Sequence, residues 1–422
     1  MAILPSQTPD RKTSRRGISS YLLPVSLLVI GFNRILVPNM RLDWLNIIPL
    51  AATLFLGYWL VTLDERPYFR RQPGPVDSVP KPFGSFLLSR WVRSCLLFLL
   101  TVMALEFGFR CMSYQRSLQY ERQGDLLFTP TPHQVYVEKI SLTHSRINSY
   151  GLRGGPVDST QGKETVLCLG DSITYGYGVD DDHSYPARLQ SALDHEFPGR
   201  YLVLNGGVNA YPIAFEDQKF LYLWNLGLHP NVVIVGYSMN EGGPLPQLLD
   251  RSEEVKREFA RRVWLKNYLR SFALYNLVAE NWARRYYDLM SGKLVPGTNF
   301  AVLSEEETNQ RYEQYLQRLL TDLHSRNVTP VFLLFPSLNS RTGTYNTEGP
   351  FEKIFAQFAQ DNGIRLFRTD EMLHTGDSGN ADLSKYFIDA VHMNERGTQK
   401  LATQLAGVLP SVLEQPLRAS AR

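Results

Sequence analysis

Between residues 165 and 409 the chain alternates short apolar runs with longer amphipathic stretches, and this rhythm constrains the fold more than any other feature. Residues 165–169 read T-V-L-C-L, an almost unbroken apolar run. Such a run suits a strand covered on both faces, because a strand with one wet face alternates apolar and polar residues. Comparable runs lie at 201–204, 231–235, 331–335 and 364–367. Helical spacing fills the intervals, over 185–196, 214–226, 305–326 and 351–361, and again at the end over 395–409. Parallel strands need long crossover connections, which such helices supply, so the pattern predicts an α/β fold with a parallel sheet and helices on both faces. Ligand sites in sheets of this kind lie beyond the carboxyl ends of the strands.

Residues 1–111 follow a different logic, with apolar runs at 18–37, 44–63 and 91–109 that each read as a transmembrane helix. The first has Asn33 and Arg34 near one end, where an arginine can snorkel to the interface. A cleaved signal peptide is the alternative for it, but no small-residue cleavage site follows and a second run begins at once. The second carries no charge and has aromatic residues near both ends, as interfacial anchoring favours. The third carries Glu106 near its end, and its alternative is a buried core helix. Arg11, Lys12, Arg15 and Arg16 precede the first run, and Arg66, Arg70, Arg71, Lys81, Arg90 and Arg93 lie between the second and third or at the third's edge. Basic short loops favour the cytoplasmic side, so three spans place the C-terminal domain outside, while two would invert it. The expectation is a multi-pass protein of the cell inner membrane, with the bilayer as a partner and the large domain on the periplasmic side.

Residues 112–163 are short and strand-like, a β-rich lead-in containing I-N-S-Y-G-L-R-G at 147–154. The main domain then runs over 164–415, interrupted at 242–300 by a basic, aromatic stretch with helical spacing. That insertion reads as a packed helical hairpin with a solvated basic face, or else as a lid or a helix lying on a membrane. A net charge of +3 gives no footprint for nucleic acid. Cys95, Cys111 and Cys168 are too few for a disulfide framework and read as unpaired structural residues. Oligomeric state leaves no mark in the sequence.

Four short motifs fall after strands or in late loops. G-D-S-I-T at 170–174 follows the first strand, where a serine hydroxyl can stand at the sheet edge beside a helix N-terminus that favours negative charge. D-A-V-H at 389–392 can set a carboxylate against one imidazole nitrogen and leave the other as a base. N-G-G-V-N-A at 205–210 and S-M-N-E at 238–241 follow the second and third strands and can aim a backbone N–H and an asparagine amide at an oxyanion. Singly, each is matched by a plain turn or cap. Their order on this architecture is what carries weight.

The ordered set resembles the SGNH hydrolase superfamily, the GDSL esterases and lipases, over roughly residues 164–409. The resemblance implies a flavodoxin-like three-layer α/β/α domain with Ser172 as nucleophile, His392 as base and Asp389 as its orienting carboxylate. It also implies an oxyanion hole from the N–H groups of Ser172 and Ala210 and the Asn240 amide, with Asp171, Asn205 and Gly207 in support. The chain departs from the family pattern at Ser238 and Glu241 in the third block, and at Ala210, where the family has glycine. Alanine can serve there if the backbone conformation admits a Cβ. I-N-S-Y-G-L-R-G resembles the lead-in of bacterial membrane-anchored members. The function so implied is a serine esterase acting on acetyl or other short acyl esters of an envelope glycan or lipid. An O-acyltransferase and a non-catalytic envelope assembly protein are the alternatives. No cofactor or metal is expected. Asp180-Asp181-Asp182-His183 reads as helix caps rather than a metal cluster, Gly176-Tyr177-Gly178 is too short for a phosphate loop, and no dinucleotide fingerprint, P-loop or H-E-x-x-H is present.

Overall fold

A computed structural model of the chain describes residues 90–111, 118–137, 143–157, 159–237, 240–241, 245–270, 272–275, 303–339, 343–347, 349–375 and 382–414. The chain divides into two compact units, Met1–Gln115 with Phe272–Asn281, and Arg116–Ser271 with Trp282–Arg422. In the first, helix α1, Arg90–Cys111, forms where the third apolar run is predicted. Its Glu106 carboxylate accepts a hydrogen bond from the Leu274 N–H at 2.8 Å. The runs at 18–37 and 44–63 lie outside the described residues. Among the described residues no helix is long and apolar enough to cross a membrane.

The second unit is built on a sheet. Its lead-in supplies two antiparallel pairs, β1 (Tyr120–Gln123) with β2 (Leu126–Pro130), and β3 (Gln134–Val137) with β4 (His144–Ile147). Then come β5 (Glu164–Leu169), a single helical turn α2 (Ser172–Tyr175), α3 (Tyr185–Glu196), β6 (Tyr201–Asn205), α4 (Ile213–Asn225), β7 (Val232–Gly236), α5 (Glu253–Arg270), α6 (Glu305–His324), β8 (Thr329–Leu334), the small hairpin β9 (Ser337–Asn339) and β10 (Thr344–Asn346), α7 (Pro350–Asp361), β11 (Arg365–Arg368), α8 (Thr369–His374) and α9 (Glu395–Leu413). Strands β11, β8, β7, β5 and β6 lie side by side in that order, all parallel. From β5 the chain goes first to one neighbour, β6, then crosses to the other, β7. That reversal is the switch point at which doubly wound sheets hold their ligands.

The unbroken apolar runs are explained by burial on both faces. Val166 and Cys168 of β5, Val232 and Ile234 of β7, and Val331 and Leu333 of β8 pack on one face, with Leu189 and Leu193 of α3 and Leu401 and Leu405 of α9. The alternate residues Leu167, Leu169, Val233, Val235, Phe332 and Leu334 face the other layer, with Phe220 and Leu223 of α4, Leu316 and Leu319 of α6 and Phe355 of α7. Each such side chain contributes about 1.5–3 kcal/mol by burial, so the register of every strand is strongly specified.

The lead-in continues the sheet edge: Arg153 bridges Ile147 on one side and Asn205 of β6 on the other. Lys219 of α4, fully buried, donates to Thr129 Oγ1 and to the Gly151 carbonyl at 3.0 Å. Burial pulls its amine down to about 7. Of the insertion, α5 packs Val255 and Phe259 on a cluster with Phe128 of β2, and its Asn267 accepts from the Tyr120 N–H at 3.2 Å. This part of the insertion rests on the lead-in, with Trp264 and Tyr268 exposed; residues 276–300 lie outside the described residues.

Candidate active site

Strand β5 ends at Leu169, and the chain turns at Gly170, where a Cβ would sit 2.1 Å from Thr174 Oγ1. Asp171 caps the next turn, its Oδ1 accepting the Ile173 N–H at 2.9 Å. Ser172 therefore stands at the carboxyl end of β5, beside the switch point. The expected helix N-terminus is only α2, four residues long, and the longer helix starts at Tyr185. So short a turn has little macrodipole, and an anion at Ser172 would meet individual N–H groups instead. The Ser172 N–H has no protein acceptor among the described residues.

Asp389 and His392 lie in the loop before α9. His392 Nε2 is 2.8 Å from Ser172 Oγ, and its Nδ1 is 2.7 Å from Asp389 Oδ2. A carboxylate only accepts, so Nδ1 carries the hydrogen and Nε2 presents its lone pair to the serine hydroxyl. The loop winds round the carboxylate: Asp389 Oδ1 accepts the N–H of Val391 at 2.9 Å and of His392 at 2.8 Å. Burial acts to raise the Asp389 pKa, but the hydrogen bond from the His392 ring and those two N–H groups outweigh it and hold the carboxyl below its ordinary value.

The loop after β6 packs on the serine turn. Asn205 Nδ2 donates to the Tyr175 carbonyl at 3.1 Å, and its Oδ1 accepts the Gly207 N–H at 3.0 Å. A Cβ on Gly207 would lie 2.3 Å from Tyr175 N, so only glycine allows this approach. Val208 N–H donates to the Gly170 carbonyl at 3.0 Å. Ala210 then takes φ +64°, the left-handed conformation that glycine adopts freely, and its N–H has no protein acceptor among the described residues.

After β7, Asn240 Nδ2 donates to Asp171 Oδ2 at 2.9 Å and makes a long 3.5 Å contact to the Tyr211 carbonyl. The short bond fixes the amide plane, and the 3.5 Å contact is too long to add much. Glu241 is buried and accepts the Ile213 N–H at 2.8 Å; burial drives its pKa well up. Ser238 lies outside the described residues.

Several neighbours of the site carried no readable signal. Glu216 of α4 is fully buried with both carboxyl oxygens unpartnered, and burial, then Glu241 and Asp171, push its pKa well above the carboxylate range. The β9–β10 hairpin holds the histidine loop, with Leu338 N–H donating to the Ala390 carbonyl at 2.8 Å and the Tyr345 hydroxyl to the Asp389 carbonyl. Tyr177 lays its ring against His392, centroids 4.7 Å apart. The acidic run before α3 is not a set of caps as predicted. Asp180 makes no capping bond, while Asp181 pairs with Arg146 and Arg153, each at 3.0 Å. Among the described residues no group of His, Cys, Asp or Glu could hold a metal ion. Cys168 is a free, buried thiol that burial pushes up to about 12.

A serine hydroxyl bonded to an imidazole that is itself bonded to a carboxylate is the working arrangement of a serine hydrolase. The sequence then supplies the family. Residues 168–400 match the GDSL-like lipase/acylhydrolase family, and the chain belongs to it, within the SGNH hydrolase superfamily and with its esterase or acylhydrolase activity. A psychrotrophic esterase from Pseudoalteromonas is 13% identical over 60% of this chain and 100% of its own, with a TM-score of 0.36. A variant of an acetyl-xylooligosaccharide esterase from Geobacillus is 15% identical over 62% and 100%, TM-score 0.35. A member of the lipolytic G-D-S-L family from Veillonella parvula is 14% identical over 58% and 98%, TM-score 0.33. No curated protein matches the chain by sequence.

Proposed function

We propose that the protein is a membrane-anchored serine esterase that removes acetyl or other short acyl groups from an envelope glycan or lipid, with Ser172 as nucleophile. The observation that carries the catalytic assignment is the unbroken chain from Asp389 through His392 to Ser172, with contacts of 2.7 and 2.8 Å. His392 Nε2 takes the Ser172 hydroxyl proton as Oγ attacks the ester carbonyl. Asp389 holds the tautomer and stabilises the imidazolium. The oxyanion is received by the N–H groups of Ser172 and Ala210 and by the Asn240 amide hydrogen now in weak contact with Tyr211. The imidazolium protonates the leaving alkoxide, and water activated by the same base then releases the acyl group from Ser172. The apolar runs at 18–37 and 44–63 and the basic residues before the first support an anchor, and a periplasmic catalytic domain requires the run at 91–109 to span as well.

Ser172→Ala in the full chain tests the assignment, with hydrolysis of a panel of acyl esters and labelling by a fluorophosphonate as readouts. Loss of both is expected; full hydrolysis by the variant refutes the nucleophile. An acylated oligosaccharide formed with added acyl donor would move the reading to acyl transfer, and absence of labelling in the wild type would move it to a non-catalytic assembly role.

A further inference from the structure

We infer that Arg153 and Tyr177 form a relay that positions the His392 imidazole, so that a side chain outside the family-matching segment sets the turnover rate. The inference rests on the proposed roles of Ser172 and His392. Arg153 belongs to the lead-in motif, and its side chain is 1% exposed. Nε donates to Asp181 Oδ1 at 3.0 Å; Nη1 donates to the carbonyls of Tyr175 and Gly176, both at 2.6 Å; Nη2 donates to the carbonyls of Val179 at 2.6 Å and His144 at 3.5 Å. All five N–H donors of the guanidinium thus have acceptors. The group also lies 4.5 Å from the Tyr175 ring centroid.

Three of those carbonyls belong to residues that flank Tyr177. The segment leaves α2 through Gly176 at φ +88° and passes Gly178 at φ +85°. A Cβ on Gly176 would lie 2.8 Å from Arg153 Nη1, and one on Gly178 would lie 2.2 Å from Ile388 Cδ1. The loop is therefore gripped from behind by Arg153 and met in front by the residue next to Asp389. On it Tyr177 presents its ring to His392 at 4.7 Å, tilted by 45°. Hydrogen bonds at Nδ1 and Nε2 leave a planar ring free to rock about the line that joins them. A side chain against its face removes that freedom.

Lysine cannot replace this arginine, because three donors on one atom cannot reach a carboxylate and several carbonyls at once. The test measures kcat and KM for a p-nitrophenyl acyl ester with the full chain carrying Arg153→Lys, Tyr177→Leu or both. Each single variant is expected to lower kcat on the order of 10-fold, with KM changed less than about threefold, since a misplaced base slows chemistry rather than binding. The double variant should fall no further than about the larger single effect, as coupled residues do. Multiplying losses in the double variant, or a wild-type kcat in Tyr177→Leu, overturns the relay. Should Arg153→Lys not fold, Tyr177→Leu decides alone. Full hydrolysis by Ser172→Ala would instead sink the underlying assignment and leave the relay without an object.

Discussion

Ala210 offers a clean separation of backbone strain from chemistry. The family pattern has glycine at this position, and the chain holds alanine at φ +64°. A left-handed conformation costs an L-residue ~1–2 kcal/mol over glycine. Replacing alanine by glycine removes that strain but gives the unfolded chain more freedom, at a cost of ~0.4–1 kcal/mol. The difference, about 0–1.6 kcal/mol and centred on ~0.8, predicts that Ala210→Gly stabilises, with a rise of about 2 °C in melting temperature for a unit of this size. Its effect on turnover should be small, because the proposed oxyanion donor is the backbone N–H, which both residues own: kcat is expected within about twofold of wild type. Ala210→Val should do the reverse, since a β-branched residue at positive φ is a true outlier, and should lower both melting temperature and kcat. Thermal unfolding and steady-state ester hydrolysis on the three proteins check this together. A glycine variant that melts below wild type refutes the strain argument; one that melts higher but loses more than about tenfold in kcat refutes the donor assignment.

Asn240→Ala removes the proposed side-chain oxyanion donor and should lower kcat on the order of 100- to 1000-fold with little change in KM, read by steady-state kinetics. Asp389→Asn keeps the shape but removes the charge that fixes the tautomer. With the Asp389 side chain 47% exposed, solvent can stand in for part of that charge, and a loss on the order of 100-fold is expected. Glu216→Gln tests the buried, unpartnered carboxyl through stability. Its folded pKa is raised, so its contribution is fully present below the unfolded value, 4.5, and is lost as pH rises toward the folded one. The glutamine variant should therefore gain melting temperature over wild type at pH 8 relative to pH 5, and an equal difference at both pH values would refute a protonated Glu216.

The candidate site was legible where it hangs on strand ends. Buried parallel strands announce themselves as apolar runs, and their carboxyl ends share one edge of the sheet, so Ser172 after β5, Ala210 after β6 and Asn240 after β7 meet for topological reasons that the alternation already contains. The strand order itself was not readable from the rhythm, because alternation fixes which elements form but not which strands lie side by side. Boundaries moved by up to four residues, as at β8, which begins at Thr329 where the apolar run starts at Val331, and at α9, which ends at Leu413 rather than 409. Glu216 shows a different limit. It sits at a helical position among aromatic residues, and nothing in its spacing distinguishes a protonated core carboxyl from a solvated surface one.

What stayed illegible is what holds the reacting groups in place, and the reason is chemical. Arg153 grips the carbonyls of Tyr175, Gly176 and Val179, and Tyr345 grips that of Asp389. A carbonyl is present at every residue, so a side chain that binds one leaves no partner type and no interval for a reader to find. Ser172, Asp389 and His392 bind one another through side chains, which restricts each position to few residue types and makes the set recognisable. The same contrast predicts where mutational effects will surprise. Substitutions at Arg153 or Tyr345 should weaken catalysis although neither residue touches Ser172, and conservative exchanges there should fare poorly, because geometry rather than charge is what those side chains supply.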